Sequence, residues 1–137
     1  MFRTFIVLAA SALVLGSTSV VAGAQPDQSD QPDQSPCNYT LTPPTVVNVS
    51  GTDMVTATVS IGACDGAVPF QTVACLKMQG GDGPGQCARG RGLVPAQVFY
   101  QPYHPGATYT STGRGCASKG NPPQKYCQET GPSAATL

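Results

Sequence analysis

Six cysteines are the residues of this chain whose type and spacing most clearly indicate a chemistry. They lie at Cys37, Cys64, Cys75, Cys87, Cys116 and Cys127. No pair has the Cys-x-x-Cys spacing typical of structural zinc sites, and the chain contains a single histidine. An even number of cysteines in a short chain outside the cytosol is typical of a disulfide framework, so we predict three bridges.

The pairing of these cysteines is less constrained, because six of them can combine in many ways. We favour bridges between neighbours, since each consecutive pair brackets a stretch with turn residues: Cys37–Cys64, Cys75–Cys87 and Cys116–Cys127. A link between more distant segments, Cys75–Cys116 or Cys87–Cys116, is the alternative.

Few other side chains could support catalysis. His104 stands between Tyr103 and Pro105 in an expected turn, and the G-x-S-x-G pattern of a nucleophile elbow is absent. The acidic residues beyond position 36 are isolated, with no spacing that indicates paired catalytic carboxylates or a calcium loop: Asp53, Asp65, Asp82 and Glu129. We therefore predict no enzymatic activity, no cofactor and no metal site.

The segment Cys87–Arg91 suggests a more specific hypothesis. Many protease inhibitors hold an exposed basic residue in a rigid loop beside a disulfide-bonded cysteine, so that the ordering cost of binding is already met. Arg89, Gly90 and Arg91 would form such an inhibitory loop here. The alternative is a flexible surface loop, because the glycine loosens the backbone.

Tyrosine and arginine side chains are the best candidates for contact with a partner, since both are enriched at interface hot spots. The candidates are Arg89, Arg91, Arg114, Tyr39, Tyr100 and Tyr103. Residues 37–137 carry six basic and four acidic residues, a net charge of +2, far below the dense positive charge expected of a nucleic-acid-binding domain. We expect a monomer that binds a protein or a component of the cell envelope, and no nucleic acid.

The N-terminal residues indicate an export signal. Arg3 provides a positive start, Phe5–Leu15 is an unbroken apolar run, and Ala22–Ala24 offers the small residues that a signal peptidase requires. The run has 11 residues, whereas a membrane-spanning helix needs about 20. We therefore expect a signal peptide over residues 1–24, no membrane span, and a secreted product that is extracellular or associated with the cell envelope.

Residues 25–36 (QPDQSDQPDQSP) consist of a six-residue unit that is nearly repeated. This segment contains proline and polar residues and no apolar side chain, so it cannot offset the entropy lost on ordering. We predict a disordered linker, followed by a single folded domain over residues 37–137.

The domain itself consists of short β-type runs separated by glycine and proline, which is typical of an all-β fold. Strands are predicted at residues 45–49, 53–61, 68–78, 96–100 and 107–112, with a further short strand near the end. In residues 53–61 apolar side chains occupy every second position: Val55, Ala57, Val59 and Ile61. The predicted architecture is a small disulfide-stapled β-sandwich, immunoglobulin-like in its layers, or a small barrel.

Two finer predictions concern the strands. If Val49 pairs with Asp53, a three-residue loop that contains Gly51 joins the first two strands. In residues 68–78, alternation places four apolar side chains on one face: Phe70, Ala74, Leu76 and Met78. A short helix over the same residues is the alternative.

Several motifs together resemble a known family. They are Pro43-Pro44-x-Val46-Val47, Val49-Ser50-Gly51-Thr52-x-Met54-Val55-x-Ala57-Thr58, Ala74-Cys75-Leu76, Gln86-Cys87, Tyr103-x-Pro105-Gly106-Ala107-Thr108-Tyr109, Thr112-Gly113-x-Gly115-Cys116, and the stretch from Cys127 to the end. Over essentially the whole domain, this pattern resembles a group of small secreted proteins of mycobacteria and related actinobacteria. That family has no assigned activity, so the resemblance implies export and a disulfide-bonded β-domain.

A second, partial resemblance concerns the hypothetical inhibitory loop. The residues Ala74-Cys75, Cys87, Arg89, Tyr100-x-Pro102 and Cys116 resemble parts of the Streptomyces subtilisin inhibitor family. This resemblance implies that Arg89 is a reactive-site residue. The chain departs from that family in the short spacing between Cys75 and Cys87 and in two additional cysteines, Cys37 and Cys127.

Overall fold

A computed structural model describes residues 35–81 and 83–137, and every regular element in this part of the chain is a β-strand. The strands are β1 (Cys37–Leu41), β2 (Thr45–Val49), β3 (Thr52–Cys64), β4 (Val68–Met78), β5 (Gln86–Arg91), β6 (Ala96–Tyr100), β7 (Thr108–Lys119) and β8 (Gln124–Thr136). The predicted signal peptide, and the linker as far as residue 34, lie outside the described residues. Within the described part, no helix is long and apolar enough to span a membrane.

The eight strands form two antiparallel sheets. In the first sheet β1 and β2 follow one another along one edge of β3, and β6 pairs with the other edge. The second sheet has the order β5-β4-β7-β8. The sheets pack face to face and do not close into a barrel, so the predicted small disulfide-stapled β-sandwich is confirmed.

The core between the sheets follows from alternation along the strands. On β3 the side chains of Val55, Ala57 and Val59 are fully buried, as the period of two predicted. They face Ala74 and Leu76 of β4, which are also fully buried. Most of these side chains are small, so the two sheets approach closely and the packing has little room for an added methyl group.

The three disulfides confirm the pairing of neighbouring cysteines: Cys37–Cys64, Cys75–Cys87 and Cys116–Cys127. Each bridge joins two cysteines that lie directly opposite one another on adjacent strands, with Cα atoms 4.1 Å apart. The first links β1 to β3, and the other two lie within the second sheet. The alternative link between β4 or β5 and β7 does not form.

The predicted register between β2 and β3 is wrong by one residue. Val49 pairs with Thr52, so Ser50 and Gly51 form a two-residue turn instead of a three-residue loop. Both turn residues have positive φ angles, 53° at Ser50 and 85° at Gly51. A turn of this kind matches the right-handed twist of a hairpin, which explains why the shorter connection is adopted.

The predicted position of Phe70 is also wrong. An irregularity in the pairing of β4 with β7 lies between Pro69 and Gln71, so alternation is interrupted there. The interruption buries Pro69 and leaves Phe70 37% exposed on the outer side of the sheet. A bulge adds one residue to one strand and reverses the faces beyond it, and the apolar pattern alone does not reveal it.

Tyr109, near the start of β7, is the largest fully buried side chain of the sandwich. Its hydroxyl accepts a hydrogen bond from the backbone N–H of His104 at 2.8 Å. This arrangement is like the tyrosine corner of immunoglobulin-type sandwiches, in which a tyrosine hydroxyl bonds to the backbone a few residues upstream. It ties the connection between β6 and β7 to the core.

Tyr109→Phe is expected to lower the free energy of unfolding by about 1 kcal/mol, because it removes the acceptor of the His104 N–H. Tyr39→Phe provides the matched comparison. The Tyr39 hydroxyl oxygen is buried without a hydrogen-bond partner among the described residues, and burial raises the pKa of Tyr39. Removing it should leave stability unchanged or raise it. Urea unfolding of the two oxidised variants measures the difference, and an equal loss in both would contradict the assignment.

Candidate functional site

The outer face of the second sheet carries most of the positive charge of the domain. We call this surface the basic face and define it by five exposed side chains: Lys77, Arg89, Arg91, Arg114 and Lys125. They share a face because each alternates along its strand with an inward-facing neighbour. Five of the six basic residues of the domain therefore lie on one surface, although they are far apart along the sequence.

One row across the sheet forms the centre of the basic face. Val73 of β4 lies directly opposite Arg89 of β5 on one side and Arg114 of β7 on the other, and Arg114 in turn lies opposite Glu129 of β8. Adjacent strands are about 4.8 Å apart, so the two arginine Cα atoms are separated by about 10 Å. The two guanidinium groups therefore flank an apolar strip that Val73 provides.

A groove runs over this row. On one side of the arginines it has a volume of about 450 Å³. Its lining comprises Val73, Cys75, Arg89, Thr112, Gly113, Arg114, Glu129, Thr130, Gly131 and Pro132. On the other side a depression of about 190 Å³ is lined by Gln71, Val73, Arg89, Arg114, Cys116 and Lys125. Since three residues line both volumes, we treat them as one groove, which extends from β4 across β7 to β8.

Lys125 extends the positive charge towards the start of β4. Its Nζ atom lies 5.9 Å from the centroid of the Phe70 ring, within the range of a cation–π contact. The displacement of Phe70 to the outer side of the sheet is what makes this contact available.

The charges of the basic face have little local compensation. Among the described residues the one ion pair joins Lys119 and Asp65, 3.8 Å apart, and it lies at the end of the sandwich. Glu129 is the only acidic residue on the face in the described part of the chain, and no ion pair forms between it and Arg114. The face thus has excess positive charge, which favours acidic ligands through its summed field.

Two of the three disulfides hold the strands that carry these charges. Cys75–Cys87 joins β4 to β5, and Cys116–Cys127 joins β7 to β8. Both bridges lie on the outer face, at the border of the groove. Each arginine-bearing strand is therefore covalently fixed to one neighbour, and the pairing of β4 with β7 joins the two halves of the face. Such restraint reduces the ordering cost of binding.

The structure divides the contact residues that the sequence predicted. Arg89 and Arg91 lie together on the basic face, whereas the intervening Gly90 faces inward and is buried. Tyr100 and Tyr103 are partly buried and pack against the Tyr109 ring, with ring centroids 5.6 and 6.5 Å from it. The two tyrosines therefore belong to the packing around Tyr109 and not to the basic face.

The expectation of an exposed loop over Cys87–Arg91 is wrong, because these residues form most of strand β5. Arg89 pairs with Val73 and Gly90 with Thr72 in a regular antiparallel ladder. The flexible surface loop, which was the alternative, is also not found at these residues; the chain turns at residues 92–95 instead. Gly90 is required for close packing, not for flexibility.

Sequence reasoning missed the contributions of Lys125, Val73 and Glu129 to the site. Lys125 and Glu129 were outside any predicted strand, because only a short strand was expected near the end, whereas β8 is 13 residues long. The spacing of Arg89 and Arg91 by two residues was a usable signal, since it places both side chains on one face of a strand.

His104 is exposed, and its structural role is carried by its backbone N–H. No group of three or more His, Cys, Asp or Glu side chains that could hold a metal ion occurs in residues 35–81 and 83–137. Comparisons of the chain with protein-family models, with curated proteins and with solved structures found no match. The basic face is therefore the feature on which a function can be based.

The oxidised protein is expected not to inhibit trypsin at equal concentration. An inhibitory loop must leave the body of the inhibitor to enter the protease pocket, whereas Arg89 is paired within the second sheet. Titration of trypsin with residues 25–137 and a chromogenic substrate measures this directly. Stoichiometric inhibition that is lost in Arg89→Ala would contradict it and restore the inhibitor hypothesis.

Proposed function

We propose that the chain is a secreted, non-catalytic binding module that uses its basic face to hold an acidic partner at the cell envelope. The observation that carries this proposal is the groove between Arg89 and Arg114. It combines concave shape, an apolar floor at Val73 and positive charge without a local ion-pair partner. Binding sites are typically concave, with an apolar lining and a few placed polar groups.

The proposed location has separate support. Three disulfides and no free cysteine occur in the described residues, and such bonds persist in oxidising compartments outside the cytosol. The apolar N-terminal run predicts export of the same chain. A small domain without a large core also gains stability from these bridges, which suits a protein exposed to the extracellular medium.

The test is a titration of isotope-labelled protein, residues 25–137, with four polyanions, followed by amide NMR shifts. The probes are oligogalacturonate, poly-glutamate, single-stranded oligo-dT and phosphatidylglycerol vesicles. We expect at least one to bind, with shifts confined to β4, β5, β7 and β8 on the basic face. Binding should weaken as salt rises, because exposed charges are screened. No binding by any probe, or shifts confined to the first sheet, would refute the proposal.

The lysines provide a matched control. Lys125 and Lys119 both lie on the β7–β8 hairpin, but Lys125 lines the groove whereas Lys119 pairs with Asp65. Lys125→Gln should weaken binding, and Lys119→Gln should leave it nearly unchanged. Equal effects would show that net charge, and not the groove, determines the interaction.

A further inference from the structure

We infer that the ligand of the basic face is a linear acidic polysaccharide that lies in this groove. This inference rests on the proposed function and adds the chemical class of the partner. Three properties of the groove support it: its shape, the arrangement of its charges and the chemistry of its remaining lining.

The groove is elongated. Over β4 it extends from Cys75 to Gln71, a distance of about 14 Å at 3.4 Å per residue, and its larger part continues across β7 to Thr130 and Pro132 of β8. A linear chain can enter such a groove and contact both sides. A bilayer surface is too flat to reach Val73 between the two arginines.

Positive charges occur repeatedly on both sides of the groove. Arg89 and Arg91 lie on the β5 side, about 7 Å apart along the strand. Arg114 and Lys125 lie on the other side, from β7 and β8. This arrangement fits a polymer with an anionic group on successive units. The planar guanidinium groups can each bind a carboxylate through two parallel hydrogen bonds.

The uncharged lining favours a sugar over an acidic peptide. Gln71, Thr112 and Thr130 line the groove, and their amide and hydroxyl groups can exchange hydrogen bonds with sugar hydroxyls. The backbone of β4 is paired on both sides, with β5 and with β7. A peptide therefore cannot add to it as a strand, which is the usual source of affinity for extended peptides at a sheet.

The same lining disfavours a single-stranded nucleic acid. Such ligands stack their bases on exposed aromatic rings. The only aromatic ring beside the groove in the described part of the chain is Phe70, and the Lys125 ammonium lies over it. The groove thus offers charge and hydrogen bonds but no platform for bases.

The experiment is isothermal titration of the oxidised protein, residues 25–137, with oligogalacturonates of graded length. We expect affinity to rise with length until the groove is filled and then to level off. Arg89→Gln and Arg114→Gln should each weaken binding about tenfold, as expected for loss of a charge-assisted hydrogen bond. Lys119→Gln should bind like the wild type. Arg89 and Arg114 are exposed and Lys119 is partly exposed, and thermal unfolding verifies that each variant is folded.

Parallel titrations separate this inference from the proposed function. Neutral dextran should not bind, and poly-glutamate, oligo-dT and phosphatidylglycerol vesicles should bind more weakly than oligogalacturonate of equal charge. If one of these three probes binds more tightly through the same arginines, the assignment of a polysaccharide ligand is wrong, whereas the basic face remains the proposed binding surface. If no polyanion binds, both are wrong. Oligogalacturonate binding that is unchanged in Arg114→Gln would overturn the assignment to this groove.

Discussion

Gly90→Ala is expected to lower the free energy of unfolding by about 3 kcal/mol, towards the upper end of the cost of overpacking. A Cβ atom at this position would overlap the backbone carbonyl oxygen of Val94 and lie 2.7 Å from Thr72 Oγ1 and 2.9 Å from the carbonyl carbon of Pro95. The backbone of residues 92–95 would have to move. That movement would also break the hydrogen bond of 3.3 Å from the Thr72 hydroxyl to the Val94 carbonyl.

Urea unfolding of oxidised protein measures the loss, with Gly62→Ala as control. Gly62 lies in β3 and is exposed, and its nearest atom to an added Cβ is the Asn38 carbonyl oxygen at 3.2 Å. The control should change stability by less than about 1 kcal/mol, as most surface substitutions do. Equal effects of the two substitutions would contradict the prediction. They would show that the connection between β5 and β6 can move to accommodate an added methyl group at residue 90.

Removing the Cys37–Cys64 bridge is expected to cost about 3.5 kcal/mol in the chain-entropy description of disulfides. The bridge closes the longest loop of the three, with a sequence separation of 27 residues against 12 and 11. It also fixes the start of β1 to the end of β3. Cys37 itself is 1% exposed, so the double substitution Cys37→Ala, Cys64→Ala leaves a small cavity as well.

Two measurements test the effect of removing the Cys37–Cys64 bridge. Urea unfolding gives its size, and amide hydrogen exchange gives its location. Exchange should accelerate first in β1, while β4 and β7 at the centre of the second sheet stay protected. The matched variant Cys116→Ala, Cys127→Ala should leave β1 protected and increase exchange at the end of the β7–β8 hairpin. Uniform exchange in both variants would contradict a local role for either bridge.

Close packing between the sheets also holds β1 in place. Gly115 of β7 lies against the ring of Tyr39, and a Cβ atom there would overlap the ring. Gly113, on the same face of β7, lies against Val59. Glycine at these positions allows β1 and β3 to approach the second sheet, so β1 is held by packing as well as by its disulfide.

Much of the strand structure could be predicted from local patterns. Residues 68–78 and 96–100 form strands with the predicted bounds, because a period of two with apolar and β-branched side chains indicates a strand wherever it occurs. The pairing of neighbouring cysteines was also predicted, since each pair brackets a stretch with turn residues. These features depend on residues that are close in sequence.

Predictions failed where pairing between strands overrode the local pattern. Residues 86–91 contain two arginines and a glycine, which indicate a loop, yet they form β5 because β4 offers a free edge and the Cys75–Cys87 bridge holds them against it. The register of β2 and the orientation of Phe70 depended on a turn type and a bulge. One added or omitted residue reverses a face, so small local errors change which side chains reach the surface.

The sequence by itself determined the class of the fold and the three disulfides, because these follow from alternation along the strands and from the number of cysteines. Export stays a prediction from the N-terminal residues. Only the tertiary structure decided the candidate site. Arg89, Arg114 and Lys125 come from three strands, and their shared face exists because β4 pairs with β5 and β7, and β7 with β8. Charges that are distant along the chain become one surface through the order of strands in the sheet, which no local pattern encodes.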